Sequence, residues 1–183
     1  MSPLGPMMRA RRRVRTLLTS ALGVLVALLV ALPWQPAVAA TTTLTASSLT
    51  TTQGSTGGQA VSVLAVQDQS GTADNWNKYV EFNGRYAGSA TFSVPGTVPP
   101  SSVTGLQVKT NYRGPATGTQ TWTWRVWSWS TSAWVTVGTN ATAPDWGAWK
   151  LLTFTAGGTA SQYVSATQGV RVQLTSNNSA DNA

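Results

Sequence analysis

The sequence predicts an all-β protein, an antiparallel β-sandwich of jelly-roll type preceded by a helical signal peptide. Three observations carry this. From residue 40 onward Thr, Ser, Gly and Val dominate, and no segment sustains the apolar period of roughly 3.6 residues that an amphipathic helix needs. Several segments alternate apolar and polar residues, as strands of a sheet with one wet face do. Leu106, Val108 and Tyr112 oppose Gln107, Lys109, Asn111 and Arg113; Val170, Val172 and Leu174 oppose Arg171, Gln173 and Thr175. Clusters of Gly, Pro, Asn and Ser punctuate these segments at strand-length intervals.

The elements follow in order. In residues 1–39, Arg9, Arg11, Arg12, Arg13 and Arg15 precede the apolar run "LLTSALGVLVALLVAL", then Pro33 and the small residues "AVAA". That is the order of a secretory signal peptide, with an A-x-A site at Ala37-Val38-Ala39. Thr19 and Ser20 interrupt the run, which is short against the roughly 20 residues of a membrane span. Export, with cleavage after Ala39 or Ala40, is therefore expected, and with it an extracellular, membrane-free mature protein. Residues 40–59 read as a Thr/Ser/Gly-rich lead-in or an N-terminal strand, and residues 60–183 as the sandwich. Its strand candidates are 60–66, 78–83, 89–94, 103–113, 120–129, 134–138, 150–155 and 169–176, with "VPGTVPPSS" as a firm boundary because proline cannot donate to a ladder.

Charge and composition exclude several functions. The whole chain carries +7, but five of its twelve basic residues lie in the leader, so seven basic against five acidic residues leave +2. The remaining charges are scattered along the sequence, whereas nucleic-acid binding wants a clustered positive field. There is no cysteine and no histidine, which removes disulfides, thiolate and imidazole metal sites, and Ser-His-Asp or Cys-His catalysis. Paired-carboxylate hydrolysis would have to draw on Asp68, Asp74, Glu81, Asp145 and Asp181; most of these stand in turn-like sequence and no pair is apparent. A non-catalytic monomer without cofactor is expected. Asp68, Asp74 and Asp181, with Asn75, are weak calcium ligand candidates set against a plain turn reading, since their spacing matches no EF-hand loop. Asn140-Ala-Thr142 and Asn177-Asn178-Ser179 match the glycosylation pattern.

Five of the nine tryptophans lie between Trp122 and Trp134. Trp122, Trp124 and Val126 share one strand parity with polar residues between them, so they should point inward; Trp127 and Trp129 then fall on the opposite face. A four-residue loop "STSA" would pair Trp129 with Trp134 and Trp127 with Thr136, giving a flat patch of Trp127, Trp129 and Trp134 beside Arg125. Two readings of the patch stand side by side. It is a sugar-stacking platform, because a pyranose lays its C–H face on an electron-rich ring and neighbouring polar groups read its hydroxyls. Or it is packing, under a loop such as "NATAPDWGAW" or turned inward by a bulge at Val126.

At "QTWTWRVWSWSTSAWVTVG", "APDWGAWKLLTFT" and "YVSATQGVRVQLTSNNSADNA" the chain resembles accessory β-sandwich modules of secreted actinobacterial glycoside hydrolases, which are similar to carbohydrate-binding modules. The likeness spans Val61 to Ala183. It implies binding of a polysaccharide or cell-wall glycan without catalysis; modules of this kind continue into one more strand after such a polar stretch, so residues 60–183 are expected to lack a last strand. The alternatives are a cell-surface interaction sandwich whose tryptophans only pack, and a truncated accessory domain of a secreted hydrolase.

Overall fold

The computed structural model describes residues 40–183; the signal-peptide expectation for residues 1–39 lies outside the described residues. Seven strands form two antiparallel sheets: β1 (Ser48–Gly58), β2 (Val80–Ser93), β3 (Gln107–Tyr112), β4 (Trp122–Ser128), β5 (Ala133–Thr139), β6 (Lys150–Thr155) and β7 (Gly169–Ser176). One sheet runs β1-β2-β7-β4-β5 and the other is the pair β3-β6. Among the described residues no helix is long and apolar enough to cross a membrane.

The alternating residues fill the space between the sheets. Val108 and Tyr112 of β3 and Leu152 of β6 meet Trp122, Trp124 and Val126 of β4 and Val170 of β7, all buried. Trp124 is central to this core, with Phe154 at 5.3 Å and Tyr112 edge-on at 5.7 Å between ring centroids. Gly138 of β5 leaves room for the Phe154 ring, which a Cβ there would strike. Trp122 is completely buried and its indole nitrogen has no hydrogen-bond partner, so this ring contributes area and shape alone.

Where sequence expectation and structure part, the reason is local. The segments expected at 78–83 and 89–94 are one bent strand, β2, because Gly84 (φ +75°) accommodates a bulge instead of ending the strand. Opposite it Gly54 (φ +74°) lies so close to the Asn83 carbonyl that no Cβ would fit. The apolar segment 60–66 is not a strand. Gly58 (φ +79°) ends β1 and residues Val61–Ala65 wind into a 3-10 turn, leaving Leu64 and Val66 exposed. The segment joins neither sheet, and without a ladder β-propensity decides little.

A buried polar knot ties β3, β4 and the intervening loop. Asn140, fully buried, donates through Nδ2 to the Pro115 and Gln120 carbonyls and the Tyr112 hydroxyl, and its Oδ1 accepts from Trp122 N–H. The side chain that matches a glycosylation pattern in sequence is therefore an internal bracket.

Candidate functional site

Strand β4 sets the site. Its even residues from Trp122 to Ser128 are buried, while Thr123, Arg125 and Trp127 between them are partly exposed. The β4–β5 hairpin differs from the expected register by two residues. Trp127 pairs with Trp134, Val126 with Val135 and Ser128 with Ala133, and a register shift between Trp124 and Arg125 takes up part of the difference. The turn is thus Trp129–Ser132, and Ser132 takes the left-handed conformation that closes it (φ 50°). Trp129 stands in the turn itself, its N–H donating to the Gln162 carbonyl and its side chain 40% exposed.

The three indoles touch but are not coplanar. Trp127 meets Trp134 at 5.2 Å and 71° between ring planes, and Trp129 at 6.3 Å and 81°. They make an angular surface rather than a flat one. Arg171 of β7 completes it, its guanidinium 5.5 Å from the Trp127 ring centre and 5.3 Å from that of Trp134. Such cation–π placement contributes about 0.5–1 kcal/mol at exposed sites. The "NATAPDWGAW" loop is tied elsewhere, through Trp146 N–H to Gly114 and Trp149 N–H to Gly71.

Arg125 faces the same side and is fixed by neutral partners, donating to Thr136, Gln173 and Thr175. Beyond it a groove of about 310 Å³ crosses β2, β7 and β4, lined by Gln53, Arg85, Thr123, Arg125, Thr175 and Asn177 among others. Charges that look scattered along the sequence come together here. Arg85, Arg125 and Arg171 share one sheet face, and none of the described carboxylates lies within ion-pair distance of them.

A second concave site, not anticipated from the sequence, is assembled by loops. A cleft of about 130 Å³ is lined by Asp74, Tyr79, Glu81, Arg113, Trp146, Trp149 and Ala183. Trp149 packs on Tyr79 at 5.5 Å, and Trp76 edge-on against Tyr79 at 5.4 Å. The Tyr79 hydroxyl donates to Asp74 at 2.7 Å, and Arg113 pairs with the same carboxylate at 3.2 Å. These partners, the hydroxyl first, hold the Asp74 carboxyl below its ordinary value, while desolvation and that hydrogen bond push the Tyr79 phenol up to about 12. Trp146 donates its indole N–H to Asp181, and Ala183 exchanges both backbone hydrogen bonds with Phe82. The one signal in the sequence is the spacing of Trp146 and Trp149; nothing local connects them to Tyr79.

The calcium candidates are dispersed among donors. Asp68 pairs with Lys78 at 2.6 Å, Asp74 holds Tyr79 and Arg113, and Asp181 holds Trp146. Among the described residues no three acidic side chains gather as a cation site would require.

Comparison with known proteins gives one family. The model of an N-terminal glycosyl-hydrolase-114-associated domain matches residues 64–183, the whole sandwich apart from β1 and the start of the turn after it. No curated protein and no solved structure matches the chain.

Proposed function

The chain belongs to the family of N-terminal glycosyl-hydrolase-114-associated domains, and on that premise we propose that it is a secreted, non-catalytic accessory domain that holds a glycoside hydrolase of that kind to its polysaccharide. One observation carries the binding half of this reading. At the β4–β5 turn, Trp127, Trp129 and Trp134 form a contiguous aromatic surface with Arg171 and Arg125 alongside. Rigid indoles lose little entropy on stacking against a sugar ring, and neighbouring arginines and amides read the hydroxyls. An angular surface suits a chain that bends over it.

Packing alone is the second reading, and Arg171 favours it, because a guanidinium against two rings takes up stacking area. Tryptophan fluorescence with soluble glycans and pull-down on insoluble ones separates the two. Binding is expected to fall at least about tenfold, some 1.4 kcal/mol, in Trp129→Ala with unfolding temperature nearly unchanged. A panel of neutral and charged glycans that produces neither a fluorescence change nor retention overturns the sugar-binding reading.

A further inference from the structure

We propose that the loop-built cleft beside Ala183 is the seat of one more antiparallel strand, an extended segment joined to Ala183 that pairs with β2 at Val80, where β7 no longer reaches. The inference stands apart from the sugar-binding reading and does not depend on it.

The hydrogen bonds along β2 show an edge left open. β7 covers this strand from Ala87 to Ser93. Past that point Ser176 Oγ takes over, accepting from Tyr86 N–H at 2.8 Å. The chain then loops out and returns, so that Phe82 and Ala183 exchange both backbone bonds, Phe82 N–H to the Ala183 carbonyl at 2.7 Å and Ala183 N–H to the Phe82 carbonyl at 3.1 Å. A mutual pair of this kind marks antiparallel pairing, and the next such pair lies two residues along each strand. On β2 that residue is Val80. Its N–H and C=O point away from β1, because Gln59 N–H bonds to the Tyr79 carbonyl and β1 thus takes the odd-numbered residues here. Among the described residues neither group of Val80 has a partner, although the residue is only 6% exposed. Buried backbone groups are rarely left unpaired.

What lies ahead of Ala183 suits a strand. Its antiparallel course leads from Phe82 toward Tyr79, into the cleft of about 130 Å³ lined by Tyr79, Glu81, Arg113, Trp146 and Trp149. A second orphan stands on that wall. Arg113 Nε is buried without a partner, while the rest of the guanidinium is held by Asp74 and the Ala73 carbonyl. An arriving main chain brings the N–H and C=O that Val80 lacks, and carbonyls for a donor such as Arg113 Nε. Alternation sets its composition. Ala183 packs on the core, its Cβ 2.8 Å from where a Cβ on Gly114 would stand. The first residue after it therefore faces outward beside Glu81, and the second inward beside Val80. The segment is polar and apolar by turns, starting polar. In the accessory role proposed above, the connection to the hydrolase thereby begins as part of the sheet instead of as a free linker.

Extending the whole chain beyond Ala183 tests this. One extension is Thr-Val-Thr-Val-Thr-Val, which has the required alternation. A second, Val-Thr-Val-Thr-Val-Thr, has the same composition and the opposite parity. A third, Thr-Pro-Thr-Val-Thr-Val, carries a proline with no N–H for the Val80 carbonyl. Amide exchange at Val80, followed by NMR, is expected to slow at least about tenfold in the first relative to the unextended chain, and to change less than about twofold in the other two. The unfolding temperature should rise only in the first, and sedimentation should show monomers throughout. Unchanged exchange at Val80 in the first chain overturns the proposal, as does equal slowing with the parity reversed. Slowing that appears only together with self-association assigns the edge to a second copy and overturns it as well. No glycan enters these measurements, so a failure here leaves the sugar-binding reading where it stands.

Discussion

The sheet-built surface at Trp127 and the loop-built cleft at Trp149 use the same materials to opposite effect. On the sheet, alternation assigns each side chain of β4 to a face, and the cations there have neutral neighbours. In the cleft, aromatic rings stand among Asp74, Glu81 and Arg113; Asp74 and Arg113 pair with each other, while Glu81 accepts from Asn83 and Asn182. On the ladder Arg125 and Arg171 are anchored by hydroxyl, amide and indole neighbours, whereas in the cleft Arg113 is paired with a carboxylate.

The largest effect tests the inner side of that ladder. Trp122→Ala and Trp124→Ala should each destabilise by about 3–5 kcal/mol in denaturant unfolding, as large-to-small changes in a packed core do. Trp122 is completely buried and Trp124 touches both Phe154 and Tyr112. A loss at either site no greater than that of Trp127→Ala would mean that the two faces of β4 are not distinct. Next in size is Gly138→Ala, about 1–3 kcal/mol by overpacking, because the new methyl meets the Phe154 ring; a neutral outcome would show the two sheets to be more loosely apposed.

On the outer side the expected costs shrink. Trp127→Ala removes a cross-strand aromatic pair with Trp134 and should cost about 0.2–1 kcal/mol, and Trp129→Ala less, since it stands in the turn. The ranking of inner over outer follows from the parity of "TWTWRVW", which the order of residues alone makes legible. The pairing across the turn is not legible in that way. Counting "STSA" as the loop places Trp129 opposite Trp134, but the turn closed by Ser132 at positive φ begins one residue earlier, and a bulge before Arg125 takes up part of the shift. Arg171 escapes a local reading for a different reason: it reaches the indoles from β7, which lies beside β4 in the sheet but far from it in sequence. Strand periodicity is local information, and sheet order is not. The cleft is the least legible, since loops and the start of β2 converge there without any shared pattern.

The smallest effect belongs to the cleft and reads its charges by pH. The Asp74 carboxyl is held below its ordinary value of 3.8 by the Tyr79 hydroxyl and by Arg113. Its contribution is therefore present above that pH and is lost as pH falls through the lowered value. Tyr79 runs the other way. Desolvation and the bond to Asp74 raise its phenol from 10.0 to about 12, so what it contributes is complete below 10.0 and is lost as pH rises toward 12. An alkaline titration followed by phenolate absorbance should show Tyr79 ionising late, as the buried Tyr86 and Tyr112 also do, and its own step should coincide with a change in indole emission, because Trp149 packs on that ring. Tyr79→Phe should remove that step, and it should also raise the pH at which acid unfolding begins, since Asp74 loses its strongest partner. The Arg171–Trp127 contact has no such phenol, so glycan binding at the sheet should pass through the alkaline range with no step from Tyr79. Loss of glycan binding in Tyr79→Phe would move the functional site from the sheet to the cleft.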